Sequence, residues 1–267
     1  MNISILGCGW LGLPLAKALI NKGHTVKGST TRREKVIDLQ EEQILPYQIE
    51  LFPEGIQGDI DAFLSKSEIL IVDIPPGVRR DPETDFSGKI KELLKHLTKS
   101  SIKNVLFVSS TSVYKDTEGF PVYLESSPPN GNSPAAVEII AAEKLLTENS
   151  NFRTTIVRFG GLLGADRHPV NMLSGRTGIK NPKAPVNLLQ QEDCIEMIQK
   201  IIEREAWGTV FNAVFPEHPE KESYYSEKAT QNLLPEPEYD QKSASKGKII
   251  ASERLEEVLR FEFKHKI

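Results

Sequence analysis

Short apolar runs alternate along the first 160 residues with stretches whose apolar positions recur every three to four residues. Ile3–Ser4–Ile5–Leu6 is such a run. It ends in Gly7–Cys8–Gly9, after which Leu11, Leu15, Ala18 and Leu19 return at helical spacing. That order predicts a strand, a tight turn and a helix. Pro14 falls in the first helical turn, where its missing N–H is no loss, and Gly23 closes the helix after Lys22. His24 to Gly28 reads as a second strand, followed by a polar helix to about Gln43 with Val36, Ile37 and Leu39 inward. Tyr47 to Leu51 reads as a third strand, Asp59 to about Ser65 as a brief helix, and Glu68 to Asp73 as a fully buried fourth strand. Arg79–Arg80–Asp81–Pro82 is expected to be a loop. Asp85 to Lys99 carries Ile90, Leu93, Leu94 and Leu97 on one helical face. Asn104 to Val108 is the fifth strand, and a polar loop rich in proline and glycine follows from Lys115 to Asn132. Ser133 and Pro134 then cap and open a helix to about Glu148, and Thr154 to Phe159 is the sixth strand.

Strict strand–helix alternation of this kind argues for an α/β fold, a doubly wound parallel sheet of Rossmann type covered on both faces. From about Asp166 the regularity breaks. Arg167–His168–Pro169 to Val186 is a basic loop segment suited to a lid or a substrate loop. Helices are expected from Gln191 to about Glu205, Glu222 to Leu234 and near Ser252 to Leu259, with a strand over Thr209 to Phe215. Residues 1–165 are accordingly expected to form the sheet domain. Residues 166–267 should form a small substrate lobe interleaved with it.

The chemistry enters at the first turn. Gly7, Gly9 and Gly12 fill G-x-G-x-x-G, with Trp10 and Leu11 between the last two, in the strand–turn–helix setting that gives the pattern meaning. Gly7 turns the chain, Gly9 lets the backbone approach a pyrophosphate, and Gly12 lets the helix pack close to the strand. Free N–H groups and the helix dipole would hold the phosphates. The end of the second strand has no acid for a ribose 2′-hydroxyl. It offers Ser29, Thr31, Arg32 and Arg33, a set suited to a 2′-phosphate, which favours NADP over NAD. Ile74–Pro75–Pro76 and Ser109 are expected at the carboxyl edge of the sheet, where ligands bind in such folds.

Composition narrows the partners. The net charge of −4 gives no electrostatic reason to expect nucleic acid or an anionic membrane. No apolar run approaches the length of a membrane span, and Met1–Asn2–Ile3–Ser4 has none of the features of a signal peptide. Two cysteines, Cys8 and Cys194, suit a reduced, cytoplasmic protein, and the five histidines are scattered without metal-ligand spacing. A homodimer is compatible with all of this.

The glycine turn, Ser109–Ser110–Thr111–Ser112–Val113–Tyr114 after the fifth strand, Arg158–Phe159–Gly160–Gly161 after the sixth and Asn187 to Asp193 together resemble the extended short-chain dehydrogenase/reductases, the epimerase/dehydratase type. Within them the chain is most similar to a small YeeZ-like bacterial group. That group shares Gly-x-Gly-Trp-Leu-Gly-x-Pro-Leu-Ala, Ser-Ser-Thr-Ser-Val-Tyr, Asp166–Arg167–His168–Pro169 and the late Gly247–Lys248–Ile249–Ile250. The resemblance implies hydride chemistry by a Ser/Thr, Tyr, Lys set. Ser110 stands at the family's Ser/Thr. Counting back from Ala141–Ala142–Glu143, however, Ala135 stands where tyrosine belongs and Ile139 where lysine belongs, and neither transfers a proton. The resemblance therefore implies an atypical member. In one reading it is an NADP-dependent reductase or epimerase for a small polar or sugar-like substrate. Ser110, Tyr114 or His168 would then serve as substitute acid, and Arg167 and Arg176 would hold the substrate. In the other, it binds dinucleotide without turnover, as a redox-responsive regulator.

Overall fold

The structure is a computed structural model of the 267 residues, all of which are described except Arg79 and Arg80. The loop expected at Arg79–Arg80 thus lies outside the described residues. Seven strands form one sheet: β1 (Asn2–Leu6), β2 (Thr25–Thr30), β3 (Leu45–Gln48), β4 (Ile69–Val72), β5 (Asn104–Ser110), β6 (Arg153–Phe159) and β7 (Val210–Ala213). Their spatial order is β7-β6-β5-β4-β1-β2-β3. β1 lies between β2 and β4, both parallel to it, with Ile5 opposite Gly28 on one side and Ile71 on the other. The order reverses between β1 and β4, the switch point at which a doubly wound sheet opens a crevice beyond its strand ends.

The helices are α1 (Gly12–Asn21), α2 (Lys35–Glu41), α3 (Ile60–Leu64), α4 (Phe86–Leu97), α5 (Pro134–Thr147), α6 (Val170–Leu173), α7 (Gln191–Glu203), α8 (Lys221–Gln231) and α9 (Glu253–Leu259). Their ends follow local chemistry. The Asp85 carboxylate accepts the Gly88 N–H at the start of α4, and the Ser133 hydroxyl accepts the Ala136 N–H at the start of α5. α1 ends on Gly23, whose φ of +82° suits glycine and whose N–H donates to the Ile20 carbonyl at 2.8 Å.

Two compact units share the chain, each drawing on three stretches. The first takes Met1–Ser110, Ser133–Val157 and Met197–Val210; the second takes Thr111–Asn132, Arg158–Glu196 and Phe211–Ile267. The boundary expected near residue 165 thus falls inside a segment of the second unit. The first unit buries Ile3, Ile5, Leu15, Leu19, Ile71, Ile90, Leu93 and Phe107. Each such side chain contributes about 1.5–3 kcal/mol relative to exposure. The second gathers Leu163, Val170, Val186, Leu188, Tyr224, Tyr225 and Ala229 into one cluster.

Two local expectations are corrected. β3 stops at Gln48, and Glu50–Phe52 instead pairs antiparallel with Gly55–Gln57. After the hairpin Gly58, at φ +103°, passes so near the end of β3 that a Cβ there would lie 2.1 Å from the Gln48 carbonyl oxygen. The polar loop after β5 also contains a short strand, Val122–Tyr123, paired in parallel with Ile249–Ile250. Among the described residues no helix is long and apolar enough to cross a membrane.

Candidate functional site

The three glycines of the first turn do different work, as the contacts around each show. A Cβ on Gly7 would stand 2.2 Å from the Asp73 carbonyl oxygen, and the residue's φ of +106° excludes an ordinary side chain as well. A Cβ on Gly12 would stand 2.2 Å from the Gly7 carbonyl oxygen. Both positions are closed by the chain's own backbone. Gly9 differs: it is exposed, and a Cβ there would meet nothing within 4 Å. Among the described residues, none fills the space a Gly9 Cβ would face.

The turn is held from beneath. The Gly7 N–H donates to Ser29 Oγ at 2.9 Å, and the Cys8 N–H donates to the Ser29 carbonyl at 2.7 Å. Gly28 lets Cys8 sit against β2, since a Cβ on Gly28 would lie 2.5 Å from Cys8 Sγ. The Cys8 thiol is pushed up to about 12, first by burial and then by the charge of Asp73, so it stays protonated. α1 begins above this turn with Leu11 at its N-cap, no side-chain cap bond and no acid in its first turn. Its positive end is therefore not neutralised by its own sequence. Leu11 points its side chain into the core, Trp10 is half-buried, and Ile74, Pro75 and Pro76 follow β4 with Pro75 exposed. Ile74 Cγ2 lies 3.1 Å from where a Gly7 Cβ would be, placing this segment beside the glycine turn.

Asp73 was not among the residues the sequence singled out. It follows β4 directly, and its carboxylate accepts the Gly12 N–H at the start of α1. Burial pushes it up to about 7 against the opposing effect of that hydrogen bond.

At the far end of β2, Thr31, Arg32 and Arg33 are exposed, and α2 starts at Lys35. Ser29 requires a correction. It is 2% exposed and its hydroxyl receives the Gly7 N–H, so it supports the turn and does not reach a ligand's 2′-phosphate. Ser109 requires another: its hydroxyl donates to Glu143 Oε1 on α5 at 2.5 Å, and both residues are buried. Ser110, next in the strand, is half-buried. Ala135 and Ile139 lie on α5 one turn apart, with Ile139 buried.

In the second unit Tyr114 is 1% exposed. Its hydroxyl receives Arg158 Nη1 at 2.6 Å and lies 3.1 Å from both the Leu124 carbonyl and Asn212 Oδ1. Its ring stacks on Tyr123 at 4.7 Å. A phenol so enclosed and so bonded serves packing, in place of the proton transfer expected of it. His168 is also occupied at both nitrogens. The Val170 N–H donates to Nδ1 at 3.1 Å, which leaves the ring proton on Nε2, 3.2 Å from the Tyr224 hydroxyl. Burial, then the charge of Lys228, holds His168 below its usual range and so neutral. Arg167 and Arg176 are exposed on the same unit, where Arg167 and Gly164 exchange backbone hydrogen bonds at 2.9 Å. The buried Lys248, which sequence reasoning left without a role, donates to the Tyr114 carbonyl at 2.5 Å and pairs with Asp116 at 3.2 Å.

No protein-family model matches the chain. Protein YeeZ of Escherichia coli (strain K12) is 30% identical over 268 residues, covering 99% of this chain and 96% of that protein. Among solved structures, a short-chain dehydrogenase/reductase superfamily protein from Agrobacterium tumefaciens with bound NAD superposes with a TM-score of 0.79 at 17% identity. It covers 100% of this chain and 93% of that one. UDP-glucose 4-epimerase from Thermotoga maritima with UDP-glucose superposes with a TM-score of 0.80 at 17% identity, covering 100% and 94%. At such identities the structural likeness speaks to fold, and the sequence match speaks to kinship. The chain belongs to the family of Protein YeeZ, built on the Rossmann-type fold of the short-chain dehydrogenase/reductases.

Proposed function

We propose that the first unit binds a nicotinamide dinucleotide, NADP in preference to NAD, and that the protein is an atypical extended reductase or epimerase acting on a small polar or sugar-like substrate. One observation carries the reading: among the described residues, backbone carbonyls close the turn before α1 at Gly7 and Gly12 and leave it open at Gly9. That opening stands before a helix end whose own first turn carries no acid and no side-chain cap bond. A bound NAD in one structural neighbour and UDP-glucose in another support the same reading by analogy of fold. The Gly9 turn and the α1 N-terminus would hold the diphosphate, with Ile74 and Pro75 lining the neighbouring wall. The cofactor supplies a hydride donor or acceptor when bound. In this reading Ser110, at the end of β5, would steady a substrate oxygen, and Arg167 and Arg176 would meet an anionic group of the substrate.

Thr31, Arg32 and Arg33 support the cofactor preference because an exposed arginine pair can fork onto a phosphate. NADPH is expected to bind about 10- to 100-fold more tightly than NADH, the worth of one or two charge-assisted hydrogen bonds. Isothermal titration checks this. Arg32→Ala together with Arg33→Ala should erase the difference, and equal affinities in the unmodified protein would remove the case for NADP.

The occupied Tyr114 and His168, with Ala135 and Ile139 on α5, favour a second reading in which dinucleotide is bound without turnover. NADPH consumption against a panel of carbonyl compounds and sugar nucleotides separates the two. Under the enzyme reading Ser110→Ala is expected to lower turnover about 100-fold or more. NADPH binding with no consumption across the panel would establish the sensor.

A further inference from the structure

We propose that Asp73 couples dinucleotide binding to the uptake of one proton, making it the residue that sets how tightly the site holds a diphosphate near neutral pH. The inference deepens the dinucleotide reading and rests on it. Its geometry is specific. Asp73 forms the wall of the glycine turn with its main chain, since its carbonyl lies 2.2 Å from the Cβ position of Gly7. With its side chain it takes the Gly12 N–H, and Oδ2 lies 3.1 Å from the Cβ position of Gly12. A carboxylate therefore already occupies part of the α1 N-terminus at which a diphosphate would settle.

Two anions at one helix end repel each other, and a half-buried site weakens the screening that water would provide. Protonation removes the clash and turns the carboxyl into a donor for a phosphate oxygen. The group stands near the point where this costs little, since burial has already raised it to about 7 in the free protein. A diphosphate beside it raises it further. The sign follows from linkage: the complex binds more protons than the free protein between the two values, so affinity falls as pH rises through about 7.

Among the described residues the neighbours leave Asp73 as the titrating group. From the turn it faces Cys8, whose thiol stays protonated throughout this range. α1 brings no acid in its first turn, and its Lys17 is paired with Glu42 at 2.8 Å. β1 and β4 are apolar apart from Ser4 and Asn2, and β2 brings only the uncharged Ser29 hydroxyl to the turn. At the end of β5, Ser109 and the Glu143 carboxylate of α5 are bonded to each other.

The test uses NADH and ADP-ribose on the full chain, because their diphosphate keeps a fixed charge where a 2′-phosphate would itself titrate near pH 6. Dissociation constants are measured from pH 6 to pH 9. Protons exchanged on binding are read by calorimetry in two buffers of different ionisation enthalpy. Affinity should fall up to about fivefold between pH 7 and pH 8, with net proton uptake on binding. Asp73→Asn, which can still accept the Gly12 N–H, should bind at pH 8 about as tightly as the unmodified protein does at pH 6, with neither pH slope nor proton uptake. Binding without proton uptake, or a slope that persists in Asp73→Asn, overturns the role of Asp73 alone. The calorimetric uptake decides it on the unmodified protein even if the variant does not fold. Absence of NADH, NADPH and ADP-ribose binding at every pH instead overturns the dinucleotide reading and this proposal with it.

Discussion

Replacing Gly9 with valine is expected to weaken NADPH binding about 100-fold while leaving the thermal midpoint within about 2 °C of the unmodified protein. The two halves of that outcome have separate causes. A Cβ at Gly9 meets no atom of the described residues within 4 Å, and the backbone there does not lie in the left-handed region, so the fold is expected to tolerate the substitution. The space it fills is the space a diphosphate needs for close approach to main-chain N–H groups. Gly12→Ala should behave in the opposite sense. Its Cβ would stand 2.2 Å from a backbone carbonyl, and overpacking of that kind costs about 1–3 kcal/mol, or about 2–12 °C in the midpoint. Calorimetry of the two variants beside fluorescence titration with NADPH checks both. Unchanged affinity in Gly9→Val would mean that no diphosphate rests on this turn, however well the glycines match the pattern.

The contrast between these glycines marks where sequence reading stops. A three-glycine pattern announces a tight turn, but which glycine serves the chain and which serves a ligand depends on what lies opposite. Gly7 is closed by Asp73, 66 residues further on. The strands were legible because unbroken apolar runs such as Ile69–Val72 have nowhere to go but between two layers of helices. The helix starts were legible where a side chain caps its own next turn, as Asp85 and Ser133 do. Ser29 and Ser109 were legible by type and not by direction. Ser29 is claimed by a backbone N–H 22 residues away, and Ser109 by a carboxylate 34 residues away. Neither partner leaves a local signal. Asp73 was missed for the same reason. At the end of an apolar run it reads as the first polar residue of a loop, and only the adjacency of β1 and β4 turns its carboxylate back to α1. Val122–Tyr123 and Ile249–Ile250 are too short to show any period, so their pairing could not be read before the fold was seen.

Arg158→Ala is expected to destabilise the protein by about 3–5 kcal/mol, lowering the midpoint by about 6–20 °C, because it removes one member of a buried polar network and strands the others. Arg158 is 4% exposed and lies over the Tyr114 ring at 5.1 Å while donating to its hydroxyl. Asn212, completely buried, faces the same hydroxyl and donates through Nδ2 to the Ala251 carbonyl at 3.0 Å. The network thus ties β6, β7 and the segment after β5 through side chains that water cannot replace. Tyr114→Phe removes a single oxygen from it and should cost about 1–3 kcal/mol, the penalty for leaving buried partners unsatisfied. The two variants also decide what Tyr114 is for. Loss of a proton donor lowers turnover about 10²- to 10⁴-fold with little effect on stability. Loss of a packing hydroxyl lowers the midpoint and leaves turnover per folded molecule within about twofold. The second pattern is expected for Tyr114→Phe, measured by denaturant titration beside NADPH consumption or, where no turnover exists, NADPH affinity. A phenol enclosed by Arg158, Asn212 and Tyr123 cannot exchange its proton with a substrate unless this network first opens. The cost of opening it is what Arg158→Ala measures.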